Sequence, residues 1–127
     1  MKKEFSKSWK SSKKPNKQRK YLANMPNHLA RKLVSVDLSK DLRKKYGKRN
    51  IPLRKGDKVK VMTGHFKKRT EKVIKVSLVN QKIYLENIYN VRKDGTKTSY
   101  PIHPSNLQII ELNNLEDKMR KKTLERK

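Results

Sequence analysis

The 127-residue sequence predicts a mainly β fold: a small SH3-like barrel with a basic, partly helical N-terminal extension and a short C-terminal helix. Three observations predict it. Residues 51–112 carry short runs of alternating apolar and polar residues, separated by turn signals. Residues 21–50 carry helix-capping residues around short apolar stripes. Residues 1–20 hold nine basic residues, one acid and few apolar groups.

The first strand is the most informative stretch. In Pro52-Leu53-Arg54-Lys55-Gly56-Asp57-Lys58-Val59-Lys60-Val61, a turn leads into a strand with Val59 and Val61 on one side and Lys58 and Lys60 on the other. The loop that follows contains Gly64, His65 and Phe66, then Lys67, Lys68 and Arg69. Next, Ile74, Val76 and Leu78 alternate with Lys75 and Ser77, and Asn80-Gln81 supplies a turn. Ile83 and Leu85 alternate with Tyr84 and Glu86, and residues 87–91 continue that strand. Asp94-Gly95 is a strong hairpin signal. Leu107, Ile109 and Glu111 close the set, with Gln108, Ile110 and Leu112 on the opposite face. Four or five short strands in so few residues are too few for two sheets, and closure into a barrel removes exposed edges.

The flanks read differently. Pro26 suits the first turn of a helix over Asn27–Leu33. Residues 34–37 break the periodicity and read as extended. A second helix follows to Tyr46, with Asp37 or Ser39 as N-cap, Arg43, Lys44 and Lys45 in its last turn and Gly47 just past its end. Leu38, Leu42 and Tyr46 make one apolar stripe for packing on the β-unit. Residues 1–20 cannot bury enough surface to offset the entropy of ordering, so in isolation they are expected to be disordered. Residues 113–127 read as a polar helix capped by Asn114, with only Leu115, Met119 and Leu124 as an apolar face, so weak docking is expected.

Composition narrows the function. Lys and Arg total 36 against 11 acids, a formal charge of +25. That self-repulsion opposes compaction, and a polyanion relieves it; RNA is the natural candidate. With no cysteine, disulfides, Cys-based zinc sites and thiol catalysis are excluded. No apolar run reaches the roughly 20 residues of a membrane span, and no apolar stretch follows the N-terminal charges as in a secretory signal. His28, His65 and His103 are far apart and lack zinc spacing. The four glycines are scattered singly, so no phosphate loop is present, and no arrangement suggests a nucleophile. No catalytic residue, metal site or cofactor is expected. A membrane-active polycation would need an apolar face that the chain lacks.

A family resemblance sharpens this reading. Arg54-Lys55-Gly56-Asp57-x-Val59-x-Val61-x-x-Gly64-x-Phe66-Lys67, followed by Lys72-Val73-x-x-Val76, resembles the KOW motif. With residues 38–49 before it and Ile102-His103-Pro104-Ser105-Asn106 after it, the chain resembles the universal large-subunit ribosomal protein numbered twenty-four in its archaeal and eukaryotic form. The resemblance covers roughly residues 19–120, and the helical block and missing cysteine favour the archaeal type. It implies a structural, cytoplasmic, ribosome-bound protein that binds large-subunit ribosomal RNA early in assembly near the polypeptide exit tunnel. Partners would be that RNA, neighbouring ribosomal proteins, and nascent-chain or targeting factors at the tunnel. The alternative is a KOW regulatory module on RNA polymerase, which predicts a less basic surface.

The residues expected to meet RNA fall in four groups. Trp9, Lys10, Lys13, Lys14, Lys17, Arg19 and Lys20 lie in the arm, where an aromatic among cations suits base stacking and phosphate contact. Arg31, Lys44, Lys45, Lys48 and Arg49 lie in the helical extension. Arg54, Lys55, Gly64, His65, Phe66, Lys67, Lys68 and Arg69 surround the first strand and its loop. His103, Ser105 and Asn106 lie in the later loop. One departure from the family pattern stands out. The loop there reads Gly-x-Phe-Lys-Gly-x-x-Gly-x-Val, whereas this chain has Lys68 and Glu71 at the two later glycines. A non-glycine residue at positive φ costs about 1 kcal/mol or more, so a different turn is expected, with Glu71 paired to the nearby cations Lys67, Lys68, Arg69 or Lys72.

Overall fold

The computed structural model describes residues 5–126; residues 1–4 of the expected arm and residue 127 of the expected 113–127 helix lie outside the described residues. Trp9 ends a 3-10 turn begun at Lys7, and helix α1 follows over Pro15–Ala23 with no buried residue. The Gln18 side-chain amide donates to the carbonyls of Trp9 (3.0 Å) and Ser12 (2.6 Å), folding the arm on itself, and the rings of Phe5 and Tyr21 lie 5.1 Å apart. The segment expected to be disordered in isolation therefore carries a helix here, one that crosses the boundary placed at residue 20.

Helix α2 (Asn27–Leu33) opens at Pro26, and β1 (Ser35–Leu38) follows with Val36 and Leu38 buried. Helix α3 (Lys40–Tyr46) is capped by Ser39, whose hydroxyl accepts from the Leu42 amide at 3.4 Å. Gly47 ends it in the left-handed conformation (φ 63°) and donates to the Arg43 carbonyl. Asp37 is not the cap: it sits in β1 and faces Arg43 at 3.4 Å and Arg49 at 3.9 Å. Leu42 and Tyr46 are half-buried against the core, as the stripe requires, but Leu38, expected on the same helix face, lies in β1 and is buried in the core from the sheet because the helix begins only at Lys40.

The remaining strands are β2 (Asn50–Pro52), β3 (Lys58–Val61), β4 (Thr70–Ser77), β5 (Lys82–Leu85), β6 (Tyr89–Val91), β7 (Lys97–Ser99) and β8 (Leu107–Glu111). Six of them form one sheet in the order β2-β1-β8-β3-β4-β5. β8 runs parallel to β1 and antiparallel to β3. The core is the inward set Val36, Leu38, Ile51, Leu53, Val59, Val61, Val73, Ile83, Leu85, Ile88, Ile102, Leu107, Ile109 and Leu124. β6 and β7 pair only with each other. At their turn the Thr96 backbone N–H and hydroxyl donate to Asp94, holding its carboxyl below the usual range.

Three expectations need correction. The barrel is not closed: the sheet runs open from β2 to β5. Residues 89–99 leave it to pair with themselves, and β1 takes the outer edge of β8. What would be the last barrel strand shrinks to a single bridge between Ile83 and Ile102. Second, Ile74 is exposed and Val73 is buried, the reverse of the expected phase, whereas Val76 packs on the core as expected. A register shift between Val73 and Lys75 against β5 moves the inward positions by one residue. Third, the strand starting at Lys82 stops at Leu85; Asn87, with φ 56°, turns the chain before β6.

The C-terminal helix, α4 (Lys118–Glu125), is capped by Asp117, which accepts from the Met119 amide at 2.8 Å. Asn114 is not the cap. Of the expected apolar face only Leu124 docks, since Met119 and Leu115 are exposed. Docking rests on Leu124, which joins the core, and on a buried ion pair. Arg120 donates to Asp57 Oδ2 at 2.8 Å, with both side chains shut off from solvent (4% and 0% exposed). The Asp57 carboxylate also accepts from the backbone N–H groups of Arg54 and Asn113, each at 2.9 Å, and Arg120 donates to the Asn113 carbonyl at 2.9 Å. A buried charge stripped of such partners is costly. Here three donors satisfy the carboxylate and tie the β2–β3 turn to α4.

Candidate nucleic-acid interface

The residues expected to meet RNA reach the surface in four separate places. In the arm, Trp9 is half-buried and its ring is flanked by Lys17 Nζ (5.9 Å) and Lys20 Nζ (5.7 Å). Lys10, Lys13, Lys14 and Arg19 are exposed around it. Aromatic and cations thus form one cluster, made by folding the 3-10 turn back along α1.

A second group lines an open groove between the end of α3 and α4. Lys45, Lys48 and Arg49 share it with Lys121 and Arg126, while Tyr46 and Leu124 lie among them. Lys48 Nζ donates to the Thr123 carbonyl, so one of these cations is used internally. Lys44 is exposed on α3. The contributions of Lys121 and Arg126 were not legible, because only the docking of α4 brings them here.

Arg31, Arg54 and Lys55 form the third group, beside one another at the β2–β3 turn. Arg54 is less available than its sequence context suggests. Its guanidinium is bonded to Asp117, whose carboxyl is held below the ordinary value of 3.8 chiefly by that hydrogen bond and next by the Met119 amide.

The fourth group unites two loops distant in sequence. Thr63, Gly64, His65 and Phe66 line a cleft with Tyr100, His103 and Asn106, together with Lys82 from β5. The loops are locked together: the Met62 amide donates to the Asn106 carbonyl at 2.8 Å, and Ile83 and Ile102 exchange two backbone bonds of 2.9 Å. Phe66 packs on the core, with His65 edge-on at 5.1 Å, Tyr100 at 5.2 Å and the Arg69 guanidinium 5.4 Å over its ring. His103 caps the 3-10 turn Pro104–Asn106: its Nδ1 accepts from the Ser105 amide (3.3 Å) and sits 2.8 Å from the Ser105 hydroxyl. A neutral ring so engaged carries its proton on Nε2. Lys67, Lys68 and Arg69 are exposed beside the cleft, and among the described residues no carboxylate lines it. His65 and His103 therefore share one site, whereas His28 lies apart on α2.

The altered loop corrects the expectation about Glu71. Residue 71 lies in β4 opposite Val59, and its carboxylate accepts from the Asn87 side-chain amide at 3.2 Å rather than pairing with the loop cations. The positive φ falls on Lys68 (73°), at the position where the family pattern has its first later glycine.

The whole assembly, from α1 through the docked α4, matches a known family. A family model described as ribosomal proteins, L26 in eukaryotes and L24 in archaea, covers residues 12–127. The chain belongs to that family. Its members are structural, non-enzymatic components of the large ribosomal subunit, so translation is the process this chain serves and the polymerase-associated alternative is set aside. The match begins inside the arm; it takes in most of the first basic group and the other three whole. Family membership implies ribosomal RNA and ribosomal proteins as partners. Among the described residues, no helix is long and apolar enough to cross a membrane.

Proposed function

We propose that this ribosomal chain binds large-subunit ribosomal RNA directly, joins early in assembly on the first domain of that RNA, and sits ribosome-bound in the cytoplasm near the polypeptide exit tunnel. The observation that carries the reading is the junction of the two family-like loops at one carboxylate-free cleft, flanked by exposed Lys67, Lys68 and Arg69. Phosphate contacts at the four basic groups would fix register, since A-form grooves hide base edges from most side chains. The arm would thread between RNA helices while the β-unit docks through its loops. Neighbouring ribosomal proteins, and nascent-chain or targeting factors at the tunnel, would meet the surfaces that RNA leaves uncovered.

The same proposal includes an SH3-like origin for the β-unit. β3, β4 and β5 follow one another in the sheet, the Ile83–Ile102 bridge stands for a fourth strand, and a 3-10 turn precedes β8. That succession supports a barrel opened by the β6–β7 insertion.

Cofractionation with large subunits in a sucrose gradient, followed by footprinting on naked first-domain RNA, tests the function. Protection of that RNA without other proteins is expected. A chain that protects no large-subunit RNA overturns the reading.

A further inference from the structure

We infer that the cleft between the two loops is a receptor for a single unstacked nucleotide, so that this face of the protein reads a looped-out base rather than a duplex. The inference rests on the RNA-binding reading above and specifies its ligand.

Size sets the class of occupant. The cleft holds about 180 Å³, below the roughly 300–1,000 Å³ of a pocket for a drug-sized ligand. One ring system fits; a helix does not. In A-form RNA the base faces are buried by stacking, and only a base splayed out of the helix offers a face to an aromatic side chain.

Chemistry sets the mode of binding. Phe66 is already covered, by the core on one side and Arg69 on its ring. It therefore acts as a fixed backing for Tyr100, which remains 39% exposed. Tyr100 is the stacking surface. Lys82 has no carboxylate partner among the described residues and lines the same cleft, placed for the nucleotide's phosphate. His103 has its Nδ1 occupied by Ser105, which leaves Nε2–H to donate to a base carbonyl or phosphate oxygen. The walls need no rearrangement, because the backbone bonds between Met62 and Asn106 and between Ile83 and Ile102 already hold the two loops in place. Tyr100 itself gave no local sequence signal. It reaches Phe66 only because the chain returns from the β6–β7 hairpin to the Ile83–Ile102 bridge.

The test uses the full chain with two probes, a short single-stranded oligouridylate and an RNA duplex of equal length. Titrating the oligouridylate should shift the ring resonances of Tyr100 and His103. Tyr100→Leu should weaken single-strand affinity about fivefold or more, the size of one lost base stack, and weaken duplex affinity by a clearly smaller factor. Tyr100→Phe should retain the wild-type value, and matched melting temperatures for the two variants exclude a folding effect. Equal affinity of Tyr100→Leu and wild type for the single strand, in a chain that still binds duplex, overturns the cleft alone. A wild-type chain that binds neither probe overturns the cleft together with the RNA reading.

Discussion

Lys68 holds a left-handed backbone at φ 73° in a loop whose family pattern has glycine there. A side chain in that region costs about 1–2 kcal/mol, against about 0.4–1 kcal/mol for the extra unfolded-state freedom of glycine. Lys68→Gly should therefore raise the melting temperature slightly while weakening RNA affinity, because a cation leaves with the strain. Glu71→Gly should do the opposite to stability. Residue 71 is in a strand and bonds Asn87, so glycine there should cost about 1 kcal/mol. Thermal melts of the two variants decide; the reverse order would place the strain at 71. Gly56 is another position that requires glycine. Its φ is 90°, and a Cβ would collide with the Asn113 side-chain amide, so Gly56→Ala should lower stability by more than about 1 kcal/mol in a denaturant titration. The replacement of the family's two glycines was legible in the sequence, but which of the two positions carried the positive φ was not, since that depends on where β4 begins to pair with β3.

At the scale of elements, the contrast between α3 and α4 separates local from distant information. α3 was legible from Leu42 to its Gly47 stop, which lie within a single short stretch, but not at its start, where Asp37 competed with Ser39 as cap and Leu38 was counted in the stripe, although Asp37 and Leu38 both belong to β1. α4 was recognisable as a helix, but its mode of docking was not, because its anchor Arg120 meets a carboxylate 63 positions earlier. A cation in a run of cations gives no sign that it is the buried one. Arg120→Met should cost about 3 kcal/mol or more by leaving Asp57 without its counter-charge. Adding Asp57→Asn should cost less than the sum of the two single changes, which a double-mutant cycle reads as coupling. The second tie, Arg54 to Asp117, responds to acid. Its stabilising contribution is complete above the ordinary carboxylate value and is lost as pH falls through the lower value of the folded state. An acid titration of α4 helicity should thus show loss only well below neutrality. The β4 phase followed the same rule as α4: alternation predicted Ile74 inward, and the bulge that reverses it exists only in the register against β5.

For the whole molecule, charge dominates binding and topology dominates folding. Each neutralised phosphate contributes roughly −0.7 to −0.9 to the slope of log affinity against log salt, and the chain carries a formal charge of +25. A slope on the order of −5 or steeper is expected for large-subunit RNA fragments. A flat response in filter-binding assays would mean that stacking or protein contacts dominate. Removing residues 1–24 should weaken that binding and leave the melting temperature of the β-unit unchanged, because α1 buries no residue. The open sheet, unlike the expected barrel, has a consequence for how the chain comes into being. β8 lies between β1 and β3 in the sheet, yet of the eight strands it is the last to be synthesised. Until it emerges, β1 and β3 have no common neighbour, and the two halves of the core present unpaired edges to their surroundings. Its pairing with β1 joins Leu38 to Ile109, the kind of distant closure that makes folding slow. For that interval the nascent chain is an extended polycation with a half-formed hydrophobic interior, the state most in need of a chaperone or of a polyanion that shields it while the central strand arrives.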